Sequence, residues 1–373
     1  MTFKRLDEVL LFFGMDFEGI VEQVNKEINK QAEEIMANTN TYKGIYAMHK
    51  YWGKKPFNEI SKFIEKYTMP GEVVLDSFCG SGVTLIEALK ANRKCIGVDL
   101  NPLAIKLAKV SMTAVDIDEV NRQFKVITKK LKATINSLYE LEYDGEPTLV
   151  THTIWKNDMP IEVWYSTNQS KKKIREGIDV DITMSQHPLV EAKWYPTSQM
   201  FENSRINVGQ NQTVADLFTP RALVGLSLIN DEIKNIEDPN IRDVFELTLT
   251  GTLSQASNLV FVIRGRKRNE GAAPKAEVGS WVIGYWVPEE HFEINVWNCF
   301  ENNVCLINGS ATQLQLANDS VDYVFIDPPH ANRILYLEQS LMWNAWLGLD
   351  ETINWNDEVI VSEAKKRKEY KEL

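Results

Sequence analysis

A strand-turn-helix-strand pattern at residues 73–101 constrains this chain more than any other stretch. The apolar run Val73–Leu75 predicts a buried parallel strand. Residues 84–91 repeat their apolar positions at helical spacing, and residues 94–98 predict a second strand. We therefore expect one β-turn-α-β unit of an α/β fold, with an acid after each strand.

The residues of this unit favour a nucleoside cofactor. Gly80 and Gly82 lie in the turn, where glycine lets the backbone approach a ligand and adopt positive φ. The helix behind the turn offers free N–H groups, and Asp99 at the tip of the second strand can accept both hydroxyls of a ribose. The turn matches neither the G-x-G-x-x-G of dinucleotide enzymes nor the Gly-Lys-Ser/Thr of a P-loop. A Rossmann-like turn that binds no nucleotide is the alternative.

A second informative stretch, residues 320–330, ends in Asp-Pro-Pro-His. Residues 321–326 predict a strand, and Asp327 follows at its carboxyl end, where ligands lie in open α/β sheets. An acid and a proline carbonyl can together accept both hydrogens of an exocyclic amino group, which positions the nitrogen for an in-line displacement. The alternative is a turn that only ends the strand.

Four short sequences together resemble the bacterial amino-group DNA methyltransferases, which act on N6 of adenine or N4 of cytosine. They are HKYWGKKP at 49–56, DSFCGSG at 76–82, DPPH at 327–330 and LYLEQSLMWNAWLG at 335–348. The resemblance implies an α/β, Rossmann-like, S-adenosylmethionine-dependent methyltransferase sheet with a central insertion domain. It also implies transfer of a methyl group from S-adenosylmethionine to the exocyclic amino group of a base in DNA. Adenine is favoured because the turn begins with Asp.

The resemblance also implies site residues. The catalytic turn is Asp327, Pro328, Pro329 and His330. The family has Tyr, Phe or Trp at the last of these positions, so His330 would stack with less area on a flipped-out base. The implied cofactor-binding residues are His49, Tyr51, Trp52, Asp76, Phe78, Cys79, Gly80, Gly82, Thr84, Asp99, Leu100, Asn101 and Ser310.

Contacts to nucleic acid are expected from basic residues. One of the three lysines in the HKYWGKKP segment, Lys54, is a candidate, and four cations fall close together at 264–268 beside flexible Gly and Pro. Such a cluster can grip a phosphate backbone, although a solvated loop fits the same residues. The candidates are Lys54, Arg264, Arg266, Lys267 and Arg268.

Composition narrows the class of protein. The net charge of −11 fits a generic nucleic-acid coat poorly, so DNA binding must come from a local basic surface. The four cysteines form no C-x-x-C pair, which argues against a disulfide framework and against a metal site. No apolar run reaches the roughly 18 residues that a membrane span needs, and the N-terminus does not read as a signal peptide. We expect a cytoplasmic protein.

The α/β alternation stops in the middle of the chain, where aromatic residues are frequent. We divide the chain into an N-terminal helical segment (1–40), a cofactor-binding half (41–144), an insertion that serves target recognition (145–300) and a catalytic half (301–373). From the insertion onward we expect helices over 216–236 and 239–262 and strands over 279–287 and 304–307.

The predicted strands are too few to complete a methyltransferase sheet, and an open edge beside an active site is costly. We therefore expect completion by a second polypeptide, by a second copy in a homo-oligomer, or by a longer chain. Double-stranded DNA is the expected substrate. The alternatives are an RNA base methyltransferase of the same fold and a non-catalytic recognition subunit of a two-chain methyltransferase.

Overall fold

The structure is a computed structural model that describes most of the chain. The described residues are 46, 49–143, 146–167, 170–177, 190–201, 208–265, 276–282, 284–305, 323–325 and 336–350. The predicted helical segment 1–40 lies outside them, and so does the Asp-Pro-Pro-His turn.

A parallel sheet with helices forms the first layer. Its chain order is α1 (Phe57–Tyr67), β1 (Val73–Asp76), α2 (Val83–Lys90), β2 (Lys94–Gly97), α3 (Pro102–Met112) and α4 (Ile117–Ser137). Strand β1 lies between β2 and a late strand, β10 (Tyr323–Phe325), and both pair with it in parallel. The predicted β-turn-α-β unit and the predicted strand within 321–326 are therefore confirmed.

Local signals explain where the helices of this layer begin. The side chain of Asn101 accepts a hydrogen bond from the backbone N–H of Leu103, with Pro102 at the first helical position of α3. Asp116 caps α4 in the same way by accepting from two backbone N–H groups. Both are favoured arrangements because a side-chain oxygen satisfies N–H groups that have no partner within the helix.

An antiparallel sheet forms the second layer. Its strands are β3 (Glu140–Tyr143), β4 (Glu146–Lys156), β5 (Met159–Thr167), β6 (Ser170–Gly177), β7 (Val260–Arg264), β8 (Ala276–Trp281) and β9 (Glu290–Ile294). Their spatial order is β6-β5-β4-β9-β7-β8, with β3 paired to β4. Asn157 and Asp158 join β4 to β5 with φ of 49° and 61°, the conformation that a two-residue hairpin requires.

Helices pack around this second sheet. They are α5 (Pro220–Lys234), α6 (Pro239–Ala256), α7 (Val296–Cys305) and α8 (Tyr336–Trp346), with a 3₁₀ turn at Ala215–Leu217. Among the described residues, no helix combines the length and apolarity needed to cross a bilayer.

Three predicted elements were wrong in extent or type. The helix expected over 239–262 ends at Ala256, and the alternating residues that follow form β7. The strand expected over 279–287 occupies Ala276–Trp281 instead. The strand expected over 304–307 is wrong at its start, because Val304 and Cys305 end α7. Val304 continues the four-residue apolar spacing of that helix, which outweighs its own β preference.

One hydrophobic core joins the two layers. Leu103 and Leu107 of α3 belong to the same cluster as Leu226, Phe245 and Trp297 of the middle region. A smaller cluster lies between α1, β1 and α2. The middle region therefore packs directly on the cofactor-binding half, and its sheet begins at Glu140, before the predicted boundary at 145.

A buried ion pair links α5 to β9. The guanidinium of Arg221 donates to both carboxylate oxygens of Glu293, at 2.7 and 2.6 Å. The indole N–H of Trp155 donates to the same carboxylate at 2.9 Å, and Arg221 lies 4.7 Å from the ring centroid of Tyr139. Burial raises the pKa of Glu293, but Arg221 and the hydrogen bonds outweigh it and hold the pKa below its ordinary value.

Removing one partner of this pair should be costly. We expect Arg221→Met to lower the free energy of unfolding by about 3–5 kcal/mol, because Glu293 keeps its charge in a buried site. Chemical denaturation followed by circular dichroism measures the change. Arg122→Met is the matched control, because Arg122 pairs with Glu119 on an exposed helix face and should matter little. Equal effects of the two variants would contradict a stabilising role for the buried pair.

Candidate functional site

The glycine turn, residues 77–82, connects β1 to α2 and is closely enclosed. Gly80 and Gly82 have φ of 49° and 81°. A Cβ atom on Gly82 would lie 2.8 Å from the Cβ of Ala108 in α3, and one on Gly80 would lie 3.1 Å from the ring of Tyr51. Both positions therefore require glycine, for their backbone conformation and for the space around them.

Asp99 connects the end of β2 to the glycine turn. Its carboxylate accepts the backbone N–H of Gly80 at 2.8 Å and that of Asn101 at 2.8 Å. Burial raises the pKa of Asp99, and these two bonds oppose that rise only in part. Since each carboxylate oxygen can accept two bonds, capacity for a further donor remains on both oxygens.

Asp76 ends β1 and is buried. Its carboxylate accepts the backbone N–H of Phe78 at 3.1 Å, and its carbonyl accepts the N–H of Val98 at 2.9 Å. The carbonyl of Val98 in turn accepts the N–H of Cys79. The carboxyl ends of β1 and β2 are thus fixed to each other and to the turn.

The other residues predicted around the turn have distinct environments. Thr84 is buried in the first turn of α2, Phe78 is half-buried, and Leu100 is exposed beside Asp99. Burial raises the pKa of the Cys79 thiol, and the nearby Asp99 and Asp76 add to the rise. Cys79 therefore stays protonated and is not an activated nucleophile.

Tyr51 and Asn101 belong to a polar cluster that includes α8. The side-chain N–H₂ of Asn101 donates to the hydroxyl of Ser340 at 2.9 Å and lies 3.4 Å from that of Tyr51. The amide of Asn344 donates to Asn101 at 3.1 Å and to Ser340 at 3.1 Å. All four side chains are buried. We call them the Asn101 cluster.

His49 packs away from the glycine turn. Its Nε2 lies 3.2 Å from the hydroxyl of Thr250 on α6, and its Nδ1 lies 2.6 Å from the carbonyl of Lys50. Burial lowers the pKa of His49 to about 4, so the ring is neutral at pH 7. Trp52 stacks at 4.7 Å on Trp343 of α8, next to His49.

Two predicted nucleic-acid residues have protein partners. The ammonium of Lys54 donates to the carbonyls of Tyr46 and His49 at 2.8 and 2.7 Å, and burial lowers its pKa to about 8. The guanidinium of Arg264 donates to Glu290 at 2.9 Å and lies 3.6 Å from Glu162. Their contact with nucleic acid stays a prediction.

The structure brings most of the predicted cofactor residues together around the carboxyl ends of β1 and β2. His49 and Trp52 lie one layer away, against α6 and α8. The predicted site residues outside the described residues are Ser310, Arg266, Lys267, Arg268, Asp327, Pro328, Pro329 and His330.

Sequence reasoning missed Ser340 and Asn344. Their signal was a pair of polar residues four positions apart, hence on one face, in a helix that also carries three aromatic residues. Among the described residues, no group of three or more His, Cys, Asp or Glu could hold a metal ion.

Comparison with known proteins finds similarity to DNA methyltransferases. Residues 16–110, which include the HKYWGKKP segment and the glycine turn, match the family model of the N6/N4 type described as DNA methylase. The chain is 22% identical over 225 residues to the type II methyltransferase M.MjaII of Methanocaldococcus jannaschii, covering 59% of this chain and 42% of that protein. It is 24% identical over 171 residues to the type II methyltransferase M.MvaI of Kocuria varians, covering 44% of this chain and 37% of that protein. The chain is therefore similar to the amino-group DNA methyltransferases, with the family model matching residues 16–110.

Other comparisons concern a methyltransferase of a different kind and the solved structures. A ribosomal protein L11 methyltransferase of Thermosipho africanus is 41% identical over 64 residues, which is 17% of this chain and 25% of that protein. No solved structure matches the chain. The chain spans less than half the length of the two type II relatives.

The enclosure of Gly82 can be tested against a second glycine of positive φ. Gly71 has φ of 93°, and nothing lies within 4 Å of the place that a Cβ atom would take there, so Gly71→Ala adds only backbone strain. Gly82→Ala adds a clash with the backbone of α3 and should cost about 1–3 kcal/mol more in the free energy of unfolding. Denaturant titration of both variants measures the difference. Similar losses would mean that α3 yields to the added methyl group.

Burial of His49 should make stability depend on pH. The folded pKa of about 4 lies below the ordinary value of 6.5, so the unfolded chain takes up this proton first as the pH falls. The contribution of His49 is therefore complete above about pH 6.5 and is lost towards pH 4, by ~3 kcal/mol in all.

Denaturant titration between pH 7 and pH 4.5 measures this dependence. His49→Gln should flatten the loss of stability over that range relative to the parent chain. His152→Gln, at a half-exposed histidine, keeps His49 and should keep the parent slope. An unchanged slope in His49→Gln would contradict the buried, neutral assignment.

Proposed function

We propose that this chain transfers a methyl group from S-adenosylmethionine to the exocyclic amino group of a base in DNA, with adenine the expected base. The observation that carries the proposal is the 2.8 Å bond between the Gly80 N–H and the Asp99 carboxylate. It joins a left-handed glycine turn to an acid at the carboxyl ends of two parallel strands, which is where nucleoside ligands bind in open α/β sheets.

The residues around this bond fit the proposed cofactor. Gly80 and Gly82 give the turn its left-handed backbone, and Asp99 retains lone pairs for ribose hydroxyls. Phe78 and the exposed Leu100 offer apolar surface beside Asp99 for a purine ring. S-adenosylmethionine would supply an electrophilic methyl group there.

Chain connectivity supports a catalytic role for the Asp-Pro-Pro-His turn. Asp76 is the register partner of Phe325, and Asp327 follows Phe325 by two positions. Two residues span at most about 7 Å, and this short separation supports the proposal that Asp327 acts beside the glycine turn. Its carboxylate and the Pro328 carbonyl would accept the two amino hydrogens and direct the nitrogen towards the methyl group, with His330 stacked on the base.

The proposed assembly includes duplex DNA and a further polypeptide. Only three parallel strands, in the order β10-β1-β2, are found among the described residues. We propose that a second chain, a second copy or a further part of the protein extends this sheet. Action on DNA in the cytoplasm follows from the same proposal.

Transfer of labelled methyl from S-adenosylmethionine to duplex DNA, with RNA in parallel, tests the function. We expect DNA to be labelled and Asp327→Ala to reduce labelling at least about 100-fold, since positioning dominates such a displacement. Cofactor binding, followed by calorimetry, should persist in that variant. Asp118→Ala removes an exposed acid and is the matched control.

Each other outcome has a definite meaning. Labelling of RNA alone would replace the proposed substrate. Cofactor binding without labelling of either nucleic acid would contradict the claim that this chain transfers the methyl group without a partner. No cofactor binding at all would overturn the proposal.

A further inference from the structure

A cleft with a mixed polar and apolar lining lies beside the HKYWGKKP segment, on the antiparallel sheet. It has a volume of about 560 Å³ and is bordered by residues of β4, β8, β9, α6 and α7. This volume lies within the range of small-molecule sites, about 300–1,000 Å³. Lys50 lines the cleft, and the next residue, Tyr51, packs on Gly80 of the glycine turn. The HKYWGKKP segment therefore runs from the border of the cleft to the glycine turn.

Three side-chain amides face this cleft. Gln255 ends α6, and Asn298 and Asn302 lie on α7. Gln255 and Asn302 are exposed and Asn298 is half-buried. Among the described residues, none of the three side chains has a hydrogen-bond partner, whereas the neighbouring amide of Asn303 is bonded to Thr252 and Cys299. The cleft thus presents unused donors and acceptors.

The charges around the cleft are few. Glu301 lines it, but Lys132 neutralises Glu301 at 3.0 Å. His152 lies in the wall between the rings of Trp164 and Phe292. Lys50 is exposed and carries the positive charge at the border. A ligand that offers hydrogen-bond donors and acceptors, with one anionic group nearby, matches this arrangement.

We infer that the cleft reads the edge of a base in the DNA that the chain methylates, at a position other than the target base. Asn and Gln amides pair with base edges, most often with adenine, through one donor and one acceptor. Lys50 would contact the adjoining phosphate, which positions the strand without reading sequence. The cleft lies on the antiparallel sheet, whereas the amino group is proposed to be presented at the end of β10. This inference rests on the proposed function and assigns its sequence specificity.

A pool of random-sequence duplexes tests the inference. After reaction with S-adenosylmethionine, sequencing of the methylated duplexes gives the base preference at each position around the methylated base. Gln255→Ala and Asn302→Ala should each reduce discrimination at one base pair by about 5- to 150-fold. Lys50→Ala should weaken binding to all sequences alike and reduce the salt slope by about one.

Two controls match these variants. Asn240→Ala removes an exposed amide at the other end of α6, about 22 Å from Gln255 along the helix. Lys125→Ala removes an exposed lysine of α4 and changes net charge as Lys50→Ala does. Neither control should alter the profile or the salt slope.

Failure of this inference is separable from failure of the proposed function. Methylation with an unchanged base preference in both amide variants would overturn this inference and leave the proposed function in place. The same conclusion holds if those variants also lose thermal stability, because another part of the chain would then fill the cleft. If no duplex is methylated, the anisotropy of the same labelled pool measures DNA binding and so tests the proposed role of the cleft. Weaker binding by the cleft variants than by the controls would support that role. Equal binding, or no binding by the parent chain, would overturn it.

Discussion

The Asn101 cluster is the contact on which the candidate site depends. Asn101 caps α3 with its side-chain oxygen, and its N–H₂ reaches Ser340 of α8 and the hydroxyl of Tyr51. Tyr51 in turn closes the space over Gly80. Three segments that are distant in sequence are thus held by hydrogen bonds in a buried place, where an unpaired polar group costs about 1–3 kcal/mol. Such a network is stable only when its members are present together. The HKYWGKKP segment, the glycine turn and α8 therefore take their positions as one unit.

The sequence predicted the parts of this site that rest on local signals. The apolar run before Asp76 and the glycines of the turn each act within a few residues, and the structure has each of them where expected. Asn101 was predicted to bind cofactor, yet its amide is occupied by bonds to the cap, Ser340 and Asn344. Asn344 lies 243 positions away, and no local pattern specifies a contact at that separation.

The middle region likewise combines features that local sequence determines with contacts between residues that are distant in the chain. The β4–β5 hairpin follows from the positive φ of Asn157 and Asp158, but the pairing of β4 with β9 joins strands that are far apart in the chain. That pairing positions Glu293 opposite Arg221 and closes the core shared with α3. Composition had indicated a separate insertion. Because its apolar face is completed by helices of the cofactor-binding half, it cannot swing freely, and any base that it contacts would have a fixed distance from the glycine turn.

Charge explains why specificity should come from a cleft of amides. The chain has a net charge of −11, and several cations near the site are already paired with carboxylates: Lys106 with Asp243, Lys132 with Glu301, Lys156 with Glu290 and Arg264 with Glu290. Paired cations neutralise few phosphates, so the sequence-independent part of DNA affinity would be small in this part of the surface. A protein with little such affinity gains most of its binding from base contacts, whose hydrogen bonds are lost at the wrong sequence. Under the proposed function, weak electrostatic attraction and unpaired amides therefore favour the same outcome, which is binding that persists only where the bases fit.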